Sequence, residues 1–216
     1  AIDDNQRVAS PRGTVRAYDA RTGTLRWEWD PIPRDAADPA AKTWGEGWKN
    51  TGSANVWAPM SVDLARGLVF LPTSSPSPDF YGGLRPGENL YANSVVALKL
   101  ESGATLWHFQ TVHHDLWDYD VPAQPTLATI SVGGKPRDVV IVGNKQAMIF
   151  VLDRDTGKPV FPVEERAVPQ SGAAGEALSP TQPFPADLPL LAPSRLTAND
   201  AWGITPWDRS RCRDLI

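Results

Sequence analysis

The sequence predicts an all-β chain made of repeated hairpins, the pattern of a partial β-propeller with about three to four blades. Three observations carry that prediction. Turn formers are dense, with 17 Gly and 21 Pro among 216 residues, set between short apolar runs. Tryptophan is abundant, with nine copies. One segment pattern also occurs three times.

Each copy of that pattern is a short apolar-rich run, a polar turn ending in Thr/Ser-Gly, then three residues and a large aromatic. The first is Val15 to Asp19, Thr22-Gly23, Trp27; the second is Val95 to Lys99, Ser102-Gly103, Trp107; the third is Ile149 to Asp153, Thr156-Gly157, Phe161. Physically this is a hairpin. The glycine supplies the positive φ of a tight turn, and the aromatic returns on the second strand, where it can pack on a neighbouring sheet. A single copy with Asp-x-x-Thr-Gly would be an ordinary turn, and the second copy has Lys99 in place of the Asp. Three copies with matched aromatics make a repeat.

The interval from Gly23 to Gly103 exceeds the roughly 40 to 50 residues of one propeller blade. It holds a further strand candidate, Gly67-Leu68-Val69-Phe70-Leu71, and a loop-rich stretch from Pro31 to Asn55. The Pro-rich stretch from Pro169 to Pro193 has little periodicity and is expected to be mostly irregular. Three to four blades cannot close a ring, so sheet edges are expected to remain exposed.

Composition narrows the function. The net charge of -4 comes without a basic stripe, which argues against a nucleic-acid partner. One cysteine, Cys212, cannot form a disulfide within the chain and does not decide the compartment. No apolar run reaches the roughly 18 to 20 residues that span a bilayer. The start carries neither a signal peptide nor an initiator Met, and both ends read as cut from a longer protein.

Chemistry-bearing residues gather in four places. Gln110 to Asp120 holds two His, three Asp, one Trp and one Tyr, where a loop would leave the Trp107 strand. These residues could bind a metal, or one Asp could act as a general base with its pKa raised by aromatic surroundings. A structural corner with His and Asp bonded to backbone stays open beside both. Ser53 to Asp63 presents Trp57 among polar residues and Pro59, either a flat platform for a planar ligand or core. Lys145, in Gly143-Asn144-Lys145-Gln146, is either a solvated strand end or a group that polarises a carbonyl or quinone oxygen. Asp3-Asp4-Asn5 offers oxygens suited to calcium or magnesium, or is a simple turn.

In order along the chain, these segments resemble the membrane-bound branch of the quinoprotein glucose dehydrogenase family, which includes quinate and shikimate dehydrogenases. The match rests on Asn55 to Pro59, Gly67 to Pro72, Pro78 to Gly83, Gln110 to Asp120 and Gln124 to Leu127. It continues through Ile149 to Arg154, Pro180 to Phe184 and Ala201 to Gly203. The string Thr-Val-His-His-Asp-Leu-Trp-Asp is the most specific part.

The resemblance implies that residues 1–216 are part of the catalytic domain, an eight-bladed propeller binding pyrroloquinoline quinone (PQQ). It implies oxidation of a sugar or cyclic polyol, with glucose going to gluconolactone as the leading case. Electrons would pass to ubiquinone at the periplasmic face of the inner membrane, through a parent anchored by an N-terminal segment outside this chain. Residue by residue, Asp118 matches the catalytic base, Lys145 the lysine beside the quinone carbonyls and Trp57 the tryptophan under the ring. Asp4 and Asn5 match a pair implicated in divalent metal binding, calcium or magnesium. Ser77 stands where the family often has Thr and keeps the hydroxyl, and His113 or His114 would shape the pocket. A further active-site histidine and the flanking blades lie outside the chain, so 216 residues alone are expected to bind the quinone poorly and to be inactive. A quinoprotein alcohol dehydrogenase and a non-catalytic propeller scaffold are the competing readings.

Overall fold

Every sheet among the described residues is antiparallel, with strands paired in chain order. The computed structural model describes residues 7–192 and 196–216. Strands β1 (Val15–Tyr18) and β2 (Leu25–Trp29) form a hairpin. Strands β3 (Ser61–Asp63), β4 (Leu68–Pro72), β5 (Ser94–Lys99) and β6 (Thr105–Gln110) form a four-stranded sheet in that order. Strands β7 (Thr126–Val132), β8 (Lys135–Gly143) and β9 (Ile149–Asp153) form a three-stranded sheet. Strands β10 (Val163–Ala167) and β11 (Thr181–Pro185) form a second hairpin. None of these sheets closes on itself among the described residues. The architecture is thus a set of propeller blades, one of them with four strands.

Strands β4 and β5 read as unbroken apolar runs because both their faces are covered. Leu68, Phe70, Val95 and Ala97 turn one way and meet Val140, Val142, Phe150 and Leu152 of the next sheet. Val69, Leu71, Val96 and Leu98 turn the other way and meet Trp29 of the first hairpin. Period two along each strand divides the residues between the two seams.

The repeated hairpins supply the other seam component. Gly23, Gly103 and Gly157 all sit at φ near +70°, the left-handed turn conformation. The Trp27 ring lies on Gly103, where an added Cβ would come within 2.7 Å of it, and the Trp107 ring lies on Gly157, at 2.4 Å. Each indole also donates to a carbonyl beside the glycine it covers, Trp27 Nε1 to Leu100 O at 2.9 Å and Trp107 Nε1 to Arg154 O at 3.1 Å. The third copy departs from the pattern: after Gly157 the return is a single bridge, Leu152 to Pro159, and Phe161 lies outside any strand.

Charge adds a polar clamp across the same seam. Arg154 donates to Asp63 Oδ2 at 3.0 Å and to Ala128 O at 2.8 Å, while Arg66 pairs with Asp63, Asp138 and Asp155. The Pro-rich region differs from expectation in one element, β11, which lies inside it. Pro183 and Pro185 are tolerated because this strand pairs on one side only, with β10. The short helix α1 (Pro206–Leu215) starts at a Thr205–Asp208 capping box with proline in its first turn. No helix is long and apolar enough to cross a membrane among the described residues.

A meander alternates its turns between two ends. The segment before β3 and the β4–β5, β6–β7 and β8–β9 connections therefore all emerge at the same end. These four stretches carry Trp57, Ser77, the Gln110–Asp120 loop and Lys145.

Candidate active site

Three of the sequence candidates meet at this end. Lys145 Nζ lies 2.7 Å from Asp118 Oδ2 and 2.8 Å from Asp120 Oδ2. Trp57 Nε1 donates to the same Asp120 oxygen at 3.1 Å, and the lysine ammonium stands 5.9 Å from the Trp57 ring centroid. Asp120 Oδ1 accepts from Ser75 N at 2.7 Å. Asp120 thus ties indole, ammonium and backbone together. Trp57 is 41% exposed, so its ring is only partly used in packing.

Asp118 sits at φ +55°, a conformation uncommon outside glycine but accessible to Asp. Burial pushes its carboxyl above the usual range, and the charges of Asp120 and Asp79 add to that, against the opposing pull of Lys145. Burial alone would lower the Lys145 ammonium, but its bonds to Asp118 and Asp120 outweigh it and hold the pKa raised. The lysine is therefore a fixed cation, and Asp118 is a carboxylate brought closer to neutrality than an ordinary one.

The remaining candidates lie elsewhere. Ser77 is fully buried; its hydroxyl accepts from Gly52 N at 3.0 Å and donates to Val8 O at 3.2 Å, away from the Asp118 cluster. His113 contacts Gln110 Oε1 at 2.7 Å and Glu165 Oε1 at 3.1 Å through its ring, and its main chain exchanges hydrogen bonds with the Gln182 amide. His114 is buried, bonded to Gly87 O at 2.7 Å and 3.6 Å from Glu176 Oε2. Burial, then the charge of Arg85, hold His114 below its ordinary pKa, so it is neutral at pH 7. His113 fixes the 163–182 segment to the loop, His114 stands against Glu176 of the same segment without a hydrogen bond to it, and neither bonds to the Trp57 cluster. Asp4 and Asn5 lie outside the described residues. Among the described residues no group of three or more His, Cys, Asp or Glu side chains is gathered to hold a metal.

The sequence reading assigned no role to Asp120, although it lies within the densest motif, two residues beyond Asp118. Its spacing was a usable signal. Ser75 gave none, being one serine in a Thr-Ser-Ser-Pro-Ser run.

The profile of the PQQ family described as "Glucose/ethanol/alcohol dehydrogenase, beta-propeller domain" matches residues 1–216, the whole chain. The chain belongs to this family. The PQQ-family assignment is supported by a glycerol dehydrogenase large subunit of Gluconobacter oxydans, 42% identical over 97% of the chain and 28% of that protein. A quinoprotein glucose dehydrogenase of Escherichia coli is 42% identical over 100% of the chain and 27% of its own length. The solved quinohemoprotein alcohol dehydrogenase of Comamonas testosteroni superposes with a TM-score of 0.66 at 33% identity, covering 82% of this chain and 28% of that one. The chain therefore spans little more than a quarter of the length of the relatives it matches.

The residues present suit a flat quinone. A partly exposed indole face with an ammonium beside it can hold an electron-poor aromatic ring and its carbonyl oxygens. Trp57 and Lys145 are the residues of this chain that would hold PQQ, with Asp118 next to them.

Proposed function

We propose that this PQQ-family chain is part of a dehydrogenase that oxidises a sugar or cyclic polyol at a hydroxyl-bearing carbon, with glucose to gluconolactone as the leading reaction. The observation that carries the reading is Asp118, a carboxylate with raised pKa, 2.7 Å from a lysine that also flanks the exposed Trp57 ring. PQQ, when bound, supplies the acceptor for the two electrons and the hydrogen on the reacting carbon. Asp118 does the acid–base work: one carboxylate oxygen holds Lys145, and the other takes the proton from the substrate hydroxyl. Lys145 stays protonated and keeps positive charge at the site. Asp120 fixes both Lys145 and Trp57, so the distance from base to platform is set before substrate arrives.

The wider reading places the parent at the periplasmic face of a bacterial inner membrane, anchored by its N-terminal part, with ubiquinone accepting the electrons. A divalent cation, calcium or magnesium, would act with PQQ, using Asp4 and Asn5. Oxidation of a simple alcohol is the second reading, favoured by the likeness to the Comamonas alcohol dehydrogenase.

The test is reconstitution of the full-length parent with PQQ and calcium or magnesium, followed by dye reduction with glucose, quinate and ethanol. PQQ-dependent turnover of glucose or quinate is expected; turnover of ethanol alone would move the assignment to the alcohol branch. Asp118→Asn should lower kcat about 10³-fold, within the range for loss of a general base. Near-full activity in that variant would sink the assignment of Asp118.

A further inference from the structure

The proposed function uses Asp118 and its partners but leaves Asp115 unexplained. Asp115 is 2% exposed and lies three residues before Asp118 in the same loop. A buried carboxylate survives only with bonds that replace water, and Asp115 has an unusually full set. Its Oδ2 accepts from the Ser75 hydroxyl, from Asn93 Nδ2 at 2.9 Å and from Tyr119 N at 2.8 Å. Its Oδ1 accepts from Trp117 N at 3.0 Å. Its own carbonyl accepts from Arg85 Nη2 at 2.6 Å.

Two of these bonds have a particular placement. Trp117 N and Tyr119 N are the amides on either side of Asp118. One carboxylate therefore holds the backbone before and after the residue that sits at φ +55°. Short Asp side chains make such local loops because they reach amides two to four residues on.

Asp115 is itself held by the sheet. Ser75 and Asn93 come from the two ends of the β4–β5 connection, and Asn93 Nδ2 also donates to Ser75 Oγ at 2.9 Å. Ser75 serves the site twice, since its amide bonds Asp120 while its hydroxyl bonds Asp115. Arg85, fully buried, links the Asp115 carbonyl to Pro78 O at 3.0 Å and Asn89 Oδ1 at 2.6 Å. Burial pushes the Arg85 guanidinium down to about 10, so it stays charged at neutral pH.

We infer that Asp115 is a positioning residue: it locks the Trp117–Tyr119 backbone so that the Asp118 carboxylate faces Lys145, with Ser75, Asn93 and Arg85 as its anchors. The inference rests on the reading of Asp118 as the base. It predicts a defect specific to orientation. Without Asp115 the carboxylate leaves Lys145, loses the interaction that lowers its pKa, and is protonated at higher pH.

The experiment is steady-state kinetics of the full-length, PQQ-loaded parent against pH for Asp115→Asn, Ser75→Ala and Asp118→Asn. Asn at 115 keeps the shape but turns a donor toward Tyr119 N, Asn93 and Ser75. Asp115→Asn should lower kcat about 100-fold, the effect of misplacing a reacting group by about 1 Å, with KM for sugar changed only a few-fold. Its acidic limb of kcat should move to higher pH. Ser75→Ala removes one anchor and should give a smaller loss, about 5-fold, with the limb moved the same way. It decides the matter if Asp115→Asn does not fold. A kcat and acidic limb equal to those of the parent in Asp115→Asn, or in Ser75→Ala where Asp115→Asn does not fold, would overturn the inference, provided Asp118→Asn is inactive. An active Asp118→Asn would instead overturn the base assignment on which the inference stands.

Discussion

The seams between sheets and the loop from Thr111 to Asp120 use the same residue types for opposite ends. In the seams, Trp27 and Trp107 are packed flat on the glycines of the next turn and each satisfies its single N–H on a carbonyl. Against the loop, Trp57 of the segment before β3 gives its N–H to Asp120 and leaves part of its ring open. The seams are held mainly by apolar area, with the Arg66–Asp63–Arg154 clamp beside it, and tolerate little change of volume. The loop is held by buried carboxylates whose bonds fix orientation. The comparison teaches that indole count alone does not distinguish scaffold from site; what the N–H is bonded to does.

The sharpest way to break that comparison is to perturb each region and ask which property falls. The largest effect belongs to the cluster around the loop, at Lys145, which pairs with Asp118 and Asp120. Lys145→Ala should reduce kcat about 10³-fold, with the melting temperature within a few degrees of the parent, because the side chain is partly exposed. Steady-state kinetics beside thermal melting checks both halves. A large fall in melting temperature with normal kcat in the folded fraction would place Lys145 with the scaffold.

Next is the seam. Trp107→Ala removes a ring packed between Phe70 and Gly157 and should destabilise by about 3–5 kcal/mol. Denaturant unfolding of the parent and the variant measures it. Gly103→Ala should cost about 1–3 kcal/mol, since its φ of +72° strains an alanine and the new methyl meets Trp27. Trp57→Phe should be the mildest in stability, about 1 kcal/mol, because the ring is partly exposed and only the N–H bonded to Asp120 is lost. Its effect should be weaker PQQ binding, read by titration of the full-length protein.

Acidity separates the regions by sign. In the loop, the Asp118 pKa is raised and the base must be ionised, so activity should fall as pH drops through a value above the ordinary carboxylate range. In the seam, burial works to raise the Asp63 carboxyl, but bonds from Arg66 and Arg154 outweigh it and hold the pKa lowered. Stability from Asp63 is therefore present above the unfolded pKa of Asp and lost as pH falls through the lower folded value. Activity should fail at a higher pH than the melting temperature does. Coincident loss of both would contradict the split.

The distinction also explains how much of the molecule was legible in the sequence. The hairpins announced themselves because their glycines and aromatics recur at fixed spacing, and β4 because an apolar run of that length fits a strand covered on both faces. Asp118, Lys145 and Trp57 were legible through a specific motif match, and a meander brings their three connections to one end. What stayed hidden depends on three-dimensional closure. Ser75 gains its role from carboxylates 40 and 45 residues away, and Arg85 from a main-chain carbonyl 30 residues away, and no local period records that. His113 and His114 stood out by residue type, yet their rings face Glu165 and Glu176 because the 163–182 segment folds back over the loop. Ser77 likewise kept its hydroxyl for the backbone of a preceding stretch.

The tryptophan-on-glycine contact has a direction. Each ring reaches forward, from a hairpin to the turn of the sheet that follows, and never back. A joint of this kind is head-to-tail, like a link that hooks only its successor, and repetition of such joints with a constant rotation winds units about an axis. It also makes damage local. A lesion at Trp27 loosens one joint and leaves the Trp107 joint intact, so the molecule should soften blade by blade, as stacked repeats do.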